Sequence, residues 1–84
     1  MAAKAPLDVA MRVRRMIESG EARSLRESAG LSCELIARKC EVGQTAVFRW
    51  ERGDRQPRGR NLLAYHRVLV ELKELQTSIA GDAA

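Results

Sequence analysis

The chain has 84 residues, enough for one small helical core and too few for a separate catalytic or ligand-binding domain beside it. Its net charge is +4, and twelve of the fifteen cations are Arg, whose planar fork suits phosphate and the guanine edge, so a polyanion heads the partner classes. Helix formers dominate, and the β-branched and aromatic alternation that marks strands is sparse, which predicts an all-α chain.

In chain order, Pro6 and Asp8 make a start signal, and Val9, Val13, Met16 and Ile17 share one helical face over 8–19. After Ser19-Gly20 the apolar positions move to Ala22, Leu25 and Ala29, a phase change that predicts a second helix over 21–29 with Gly20 as the joint. Gly30 closes that helix and Ser32 caps a third, about two turns long, which carries Leu35, Ile36 and Ala37 and ends near Cys40. A fourth follows almost at once, over 43–52. Val42, Val47 and Trp50 take the spacing of a buried stripe there, while Gln44, Thr45, Phe48, Arg49 and Arg52 point elsewhere, and Gly53 ends the helix. The basic turn "DRQPRGR" leads, with Pro57 at the opening, into a last helix over 58–78.

That helix carries apolar residues for two faces. Leu62, Leu63, His66, Leu69 and Val70 suit the domain core, with His66 as a packed core histidine; Tyr65, Val68, Leu72, Leu75 and Ile79 form a second stripe at spacings of three and four. The second stripe is expected to meet either the 8–19 helix of its own chain or another subunit, and it is the candidate dimer interface, with Val9, Val13 and Met16 contributing. Residues 79–84 read as a loose tail, and the whole of 1–84 as a single domain.

Cys33 and Cys40 lie seven residues apart, a rise of about 10 Å on one helix and beyond disulfide reach. One His and two separated Cys do not make a zinc site, and no phosphate-cradling glycine loop, paired carboxylates or nucleophile beside a base appear, so neither metal, cofactor, small-molecule ligand nor catalysis is expected. The start lacks the uninterrupted apolar core of a signal peptide and no run is long enough to span a bilayer; the cytoplasm of a bacterium, or of one infected by a phage, is the expected compartment.

Two short helices joined by a tight turn, the second with polar side chains at its start and cations at its end, make the pattern of a helix-turn-helix, here over about 32–52 within a core of 21–57. Residues 25–57, "LRESAGLSCELIARKCEVGQTAVFRWERGDRQP", resemble the lambda-repressor-like, Cro/C1-type helix-turn-helix family. The match is carried by Leu-Arg, Gly-Leu-Ser, apolar-Ala and apolar-x-x-Trp-Glu-x-Gly at joint spacing. The resemblance implies a compact five-helix domain, and a structural ion pair between Arg26 and Glu51. It also implies base readout by Gln44, Thr45 and Arg49, and side-chain chemistry agrees: Gln bonds adenine in two places, Arg bonds guanine in two, and the Thr methyl meets that of thymine. Phe48 either presses on a thymine methyl or sugar, or packs against a neighbouring helix or a second subunit.

Phosphate contacts are expected from Ser32 and Cys33 at the start of the third helix, from the Gly43 backbone, and from Arg52, Arg55, Arg58 and Arg60. Arg12, Arg14 and Arg15 read as a solvated face. Three positions depart from the family pattern: Cys33 stands where a Gln usually grips a phosphate, Glu41 takes the place of the turn glycine, and Gly43 that of a Ser or Thr cap.

The expected partner is double-stranded DNA, and the expected role that of a dimeric repressor on a pseudo-palindromic operator, with half-sites about one helical turn apart. Such a chain would be a phage Cro or immunity repressor in type. The rival is a protein-interaction adaptor or antitoxin that uses the same fold to bind a protein.

Overall fold

A computed structural model describes the backbone of residues 6–82 and the side chains of residues 6–78. Five helices follow one another: α1 Leu7–Glu18, α2 Glu21–Ser28, α3 Cys33–Cys40, α4 Gln44–Arg52 and α5 Gly59–Asp82, with no strand among the described residues. The all-α class and the long C-terminal helix expected from composition and periodicity are both present.

Each short helix is placed by one inward stripe and a backbone stop. In α1, Val13 and Ile17 lie one turn apart and are buried, with Val9 and Met16 packed at the margin. Gly20 then turns into the left-handed region, φ 83°, and this lets α2 bury Ala22 and Leu25 out of phase with α1. Ser32 caps α3, its Oγ accepting the Leu35 N–H at 3.1 Å, and Ile36, Ala37 and Cys40 face inward. Leu35 points out instead.

The turn between α3 and α4 passes through Glu41 at φ 57° and ψ 45°, the left-handed conformation, in a side chain with a Cβ. That geometry costs an L-residue about 1–2 kcal/mol. Glu41→Gly is therefore expected to raise the unfolding free energy by about 0.5–1 kcal/mol, the relief being partly offset by the extra freedom glycine brings to the unfolded chain. Urea unfolding of the two proteins checks it, and an unchanged or lowered midpoint would contradict the strain.

The core closes behind α4. Val47 and Trp50 are buried, and the indole lies against the Tyr65 ring of α5 with centroids 4.9 Å apart and planes at 50°. Along α5, the residues that reach this core are Leu62, Tyr65, Val68, Leu69 and Leu72. They form one broad stripe and not two, because α5 packs at once against α1, α2 and α3.

This corrects the sequence-based division of α5. Tyr65, Val68 and Leu72, expected at a dimer interface, are 1%, 9% and 8% exposed within a single chain, and Val13 of α1 is 1% exposed. The covering helices belong to the same molecule, so these residues present no surface to a second one. Leu75 alone of the expected interface is exposed, and the Ile79 side chain lies outside the described residues. Conversely Val70, assigned to the core, is exposed, while Leu63 and His66 are only half-buried. The loose tail is also revised: α5 continues to Asp82, and residues 83–84 lie outside the described residues.

The Tyr65 hydroxyl is buried without a hydrogen-bond partner among the described residues. Burial pushes the phenol well above its usual range, with the Glu51 carboxylate adding to the effect, and burial likewise raises the Cys33 and Cys40 thiols. All three groups ionise earlier in the unfolded chain than in the folded one. Stability is thus full well below pH 9, falls as pH rises through about 9, where the thiols of the unfolded chain ionise, and falls further through about pH 10 as the phenol follows. Tyr65→Phe removes the orphaned hydroxyl and is expected to stabilise the fold by about 1 kcal/mol near neutral pH, and to flatten the alkaline loss above pH 10. Denaturant unfolding at several pH values checks both; a destabilised phenylalanine variant would mean the hydroxyl has a partner after all.

Candidate nucleic-acid interface

The side of α4 opposite Val47 and Trp50 is open. Gln44, Thr45, Phe48, Arg49 and Arg52 are all exposed, Phe48 to 49%. The helix therefore carries an indole at its back and amide, hydroxyl and guanidinium groups at its front, with nothing of the described chain lying over them.

Two depressions divide this front. Thr45 and Arg49 border a groove of about 830 Å³ running toward α5, whose other wall is the turn bearing Arg55 and Arg58. Phe48 and Arg52 border a smaller notch toward α2, where Arg23 and the Arg26–Glu51 pair form the far side. The Arg52 guanidinium lies 5.3 Å from the centre of the Phe48 ring and its Nε is 3.3 Å from Asp54, so Arg52 is partly neutralised. Arg49, Arg55, Arg58 and Arg60 are exposed and make no ion pair among the described residues.

The turn is shaped to hold these groups beside α4. Gly53 is left-handed, φ 76°, and Asp54 donates its N–H back to the Arg49 carbonyl at 3.0 Å, closing the helix end in a Schellman-type bend. Pro57 is buried against the fold, which fixes the chain on the way to α5. Arg55 and Arg58 consequently face the same groove as Arg49.

Helix starts add backbone donors. Ser32 Oγ takes the Leu35 N–H, and this leaves the Cys33 and Glu34 amides without a partner inside α3 and the Ser32 hydroxyl proton free to donate outward. Glu34 would repel an anion there, but Arg38 holds its carboxylate at 3.0 Å. The Cys33 side chain packs against the core instead of pointing to solvent, so only its backbone can serve a phosphate. At the start of α4 no side chain caps the helix; Gly43 keeps an extended backbone, φ −73° and ψ 152°, the Ala46 N–H donates to the Gly43 carbonyl at 3.0 Å, and the Gln44 and Thr45 amides stay open.

The fourth helix is tied to the second by Arg26 and Glu51, which are 25 residues apart in sequence. Arg26 Nε and Nη2 donate to the two carboxylate oxygens at 2.5 and 3.0 Å, and Nη1 donates to the Leu31 carbonyl at 2.8 Å. The side chains are 16% and 5% exposed. One guanidinium thus joins α2, the α2–α3 turn and α4 in fixed register, and the Glu51 carboxylate keeps it charged by raising its pKa.

Some groups at this front were not singled out by sequence. Arg23 pairs with Glu27 at 2.8 Å, and the fold brings it to the notch beside Phe48 and Arg52. Gln56 and Asn61 line the larger groove. For Asn61 a signal existed: it stands three residues after Arg58, one turn along the start of α5. Arg23 had no such signal, since its neighbours at the notch come from another helix.

Among the described residues no group of His, Cys, Asp and Glu is placed to hold a metal ion, and no helix is long and apolar enough to cross a membrane.

An exposed polar helix over a buried aromatic back, joined through a tight turn to a capped helix with open amides, defines a helix-turn-helix DNA-binding protein. The family model described as helix-turn-helix matches residues 23–69, from the start of the notch to the middle of α5. That is more than half of the chain, which belongs to the lambda-repressor-like, Cro/C1-type helix-turn-helix family of DNA-binding regulators. Searches of curated proteins and of solved structures returned no match to it.

Proposed function

We propose that the protein is a sequence-specific transcriptional repressor that binds, as a homodimer, a pseudo-palindromic operator with half-sites about one helical turn apart, in the cytoplasm of a bacterium or of a phage-infected cell. In this reading α4 enters the major groove. Gln44, Thr45 and Arg49 read base edges, with Phe48 against a sugar or a thymine methyl. Ser32, the Cys33 and Gly43 backbones, and Arg52, Arg55, Arg58 and Arg60 hold phosphates on either side. Repression follows from occupying a promoter, as a small phage Cro or immunity repressor would.

The observation that carries this reading is the open front of α4: three side chains able to make directed bonds to bases lie uncovered beside a groove walled by arginines. Had that front packed against the rest of the chain, α4 would be a core helix and nothing more.

Selection of bound duplexes from a random library, followed by a salt titration of the best sequence, tests the proposal. A reader of DNA selects one sequence, and its log affinity falls linearly with log salt at a slope of about −0.9 per phosphate neutralised. An adaptor or antitoxin acting only on a protein would select no sequence and show a flat salt response.

A further inference from the structure

We propose that two copies of this chain pair through the groove between α1 and α5, with α1 of one copy antiparallel to α1 of the other. The proposal rests on the dimeric reading above and supplies the surface that the burial of Tyr65, Val68 and Leu72 took away.

The groove has a volume of about 510 Å³, and Asp8, Met11, Arg12 and Arg15 of α1 face His66 and Val70 of α5 across it. Met11 is 55% exposed and Val70 37%, and Leu7, one turn before Met11, is 76% exposed. The remaining exposed large apolar side chains, Leu35, Phe48 and Leu75, sit on three different helices. Among the described residues, Met11 and Val70 come together along this one groove.

The charges around the groove identify the occupant. Asp8 and Arg15 lie at equal distances from the midpoint between Met11 and Arg12, and neither is in an ion pair among the described residues. In an antiparallel pair crossing at that midpoint, Asp8 of one copy meets Arg15 of the other, and the two-fold axis repeats the contact. The same crossing lays each Met11 on the aliphatic stem of the opposite Arg12, with Val70 closing over it. A two-fold interface requires such reciprocity, since each patch must complement itself. A purely acidic partner would meet Arg12 and Arg15 but be repelled by Asp8.

Two further facts fit. Helix α1 lies outside residues 23–69, the part shared with the family, so its outer face is not committed to the DNA-binding core. The groove also shares no residue with the one between α4 and α5, so a second copy and a duplex can be held together.

Sedimentation equilibrium of the full chain without DNA tests the pairing. The expected result is a monomer–dimer equilibrium that Met11→Glu with Val70→Glu weakens at least about tenfold, while helix content is unchanged because both positions are exposed. Asp8→Arg alone and Arg15→Asp alone should each weaken self-association, since like charges then face each other. Mixing those two variants should restore a dimer, now a heterodimer with opposite charges at both contacts. A chain that is monomeric at every concentration, a dimer indifferent to these changes, or one that dissociates only on Leu75→Glu would overturn the proposal. Because no DNA is present, failure to bind an operator leaves this result standing, and loss of the dimer leaves the readout by α4 to be judged separately.

Discussion

Replacing Arg26 by methionine is expected to lower the unfolding free energy by about 3 kcal/mol, a large part of what a chain of this size has to lose. The loss is not that of one attraction. Glu51, 5% exposed, would keep a charge in the interior with both oxygens stripped of donors, and the Leu31 carbonyl would lose its guanidinium partner as well. Glu51→Leu leaves a buried guanidinium in the same position and is expected to cost as much. Combining the two substitutions should recover most of the loss, because an apolar pair of similar volume carries no desolvation penalty. Urea unfolding of the four proteins forms a double-mutant cycle, and a coupling energy near zero would mean that the pair is not the joint between α2 and α4.

The functional consequence separates the double variant from the native chain. Its fold should persist, but the three-way register set by one bidentate guanidinium would be gone, and apolar side chains impose no comparable direction on α4. Operator binding should therefore recover less completely than stability does. Affinity measured alongside unfolding shows whether the pair matters for holding α4 or only for folding.

The second large effect lies on the DNA side of the same helix. Arg49→Ala is expected to abolish preference at one base pair of each half-site, a discrimination of about 1–3 kcal/mol per contact, or roughly fivefold to 150-fold. Its guanidinium is exposed and free of ion pairs among the described residues, so it can present both donors to a guanine. Gln44→Ala should relax an adenine position in the same way. Arg55→Ala, on the opposite wall of the groove, should weaken every duplex alike and reduce the salt slope by about one per half-site. Arg52→Ala is expected to have less effect than Arg55→Ala, because Asp54 already takes part of its charge. Quantitative binding across a set of single-base operator variants distinguishes these outcomes; uniform weakening from Arg49→Ala with altered preference from Arg55→Ala would reverse the assignment of readers and anchors.

Several features of the fold were legible in the order of residues because they arise within a few positions of one another. A hydroxyl on the residue just before a helix accepts the amide three residues on, and Ser32 does so for Leu35. Glycine at the end of an apolar stripe turns left-handed, as Gly20 and Gly53 do. Val47 and Trp50 lie three apart, and α4 could bury them only by exposing Gln44, Phe48 and Arg49. The front of the candidate site was therefore readable before any tertiary contact was known.

Helix α5 shows where that reasoning stops. Periodicity groups its apolar residues into lines but says nothing about what covers each line, and the residues assigned to a subunit interface are those that α1, α2 and α3 enclose. Val70, which lies on the line thought to be core, comes to the edge of a groove instead. The same limit applied to Arg23, whose place beside Phe48 depends on how two separate helices meet.

The chain's order alone decided its helices, their caps and which side of α4 faces outward, since these follow from hydrogen bonds and phase over one or two turns. Only the assembled molecule decided which stripe of α5 is enclosed, where Arg23 and His66 lie, and that the groove beside α1 stays open. Burial is a property of all the neighbours a side chain meets, and on α5 those neighbours come from helices up to about sixty residues away in sequence.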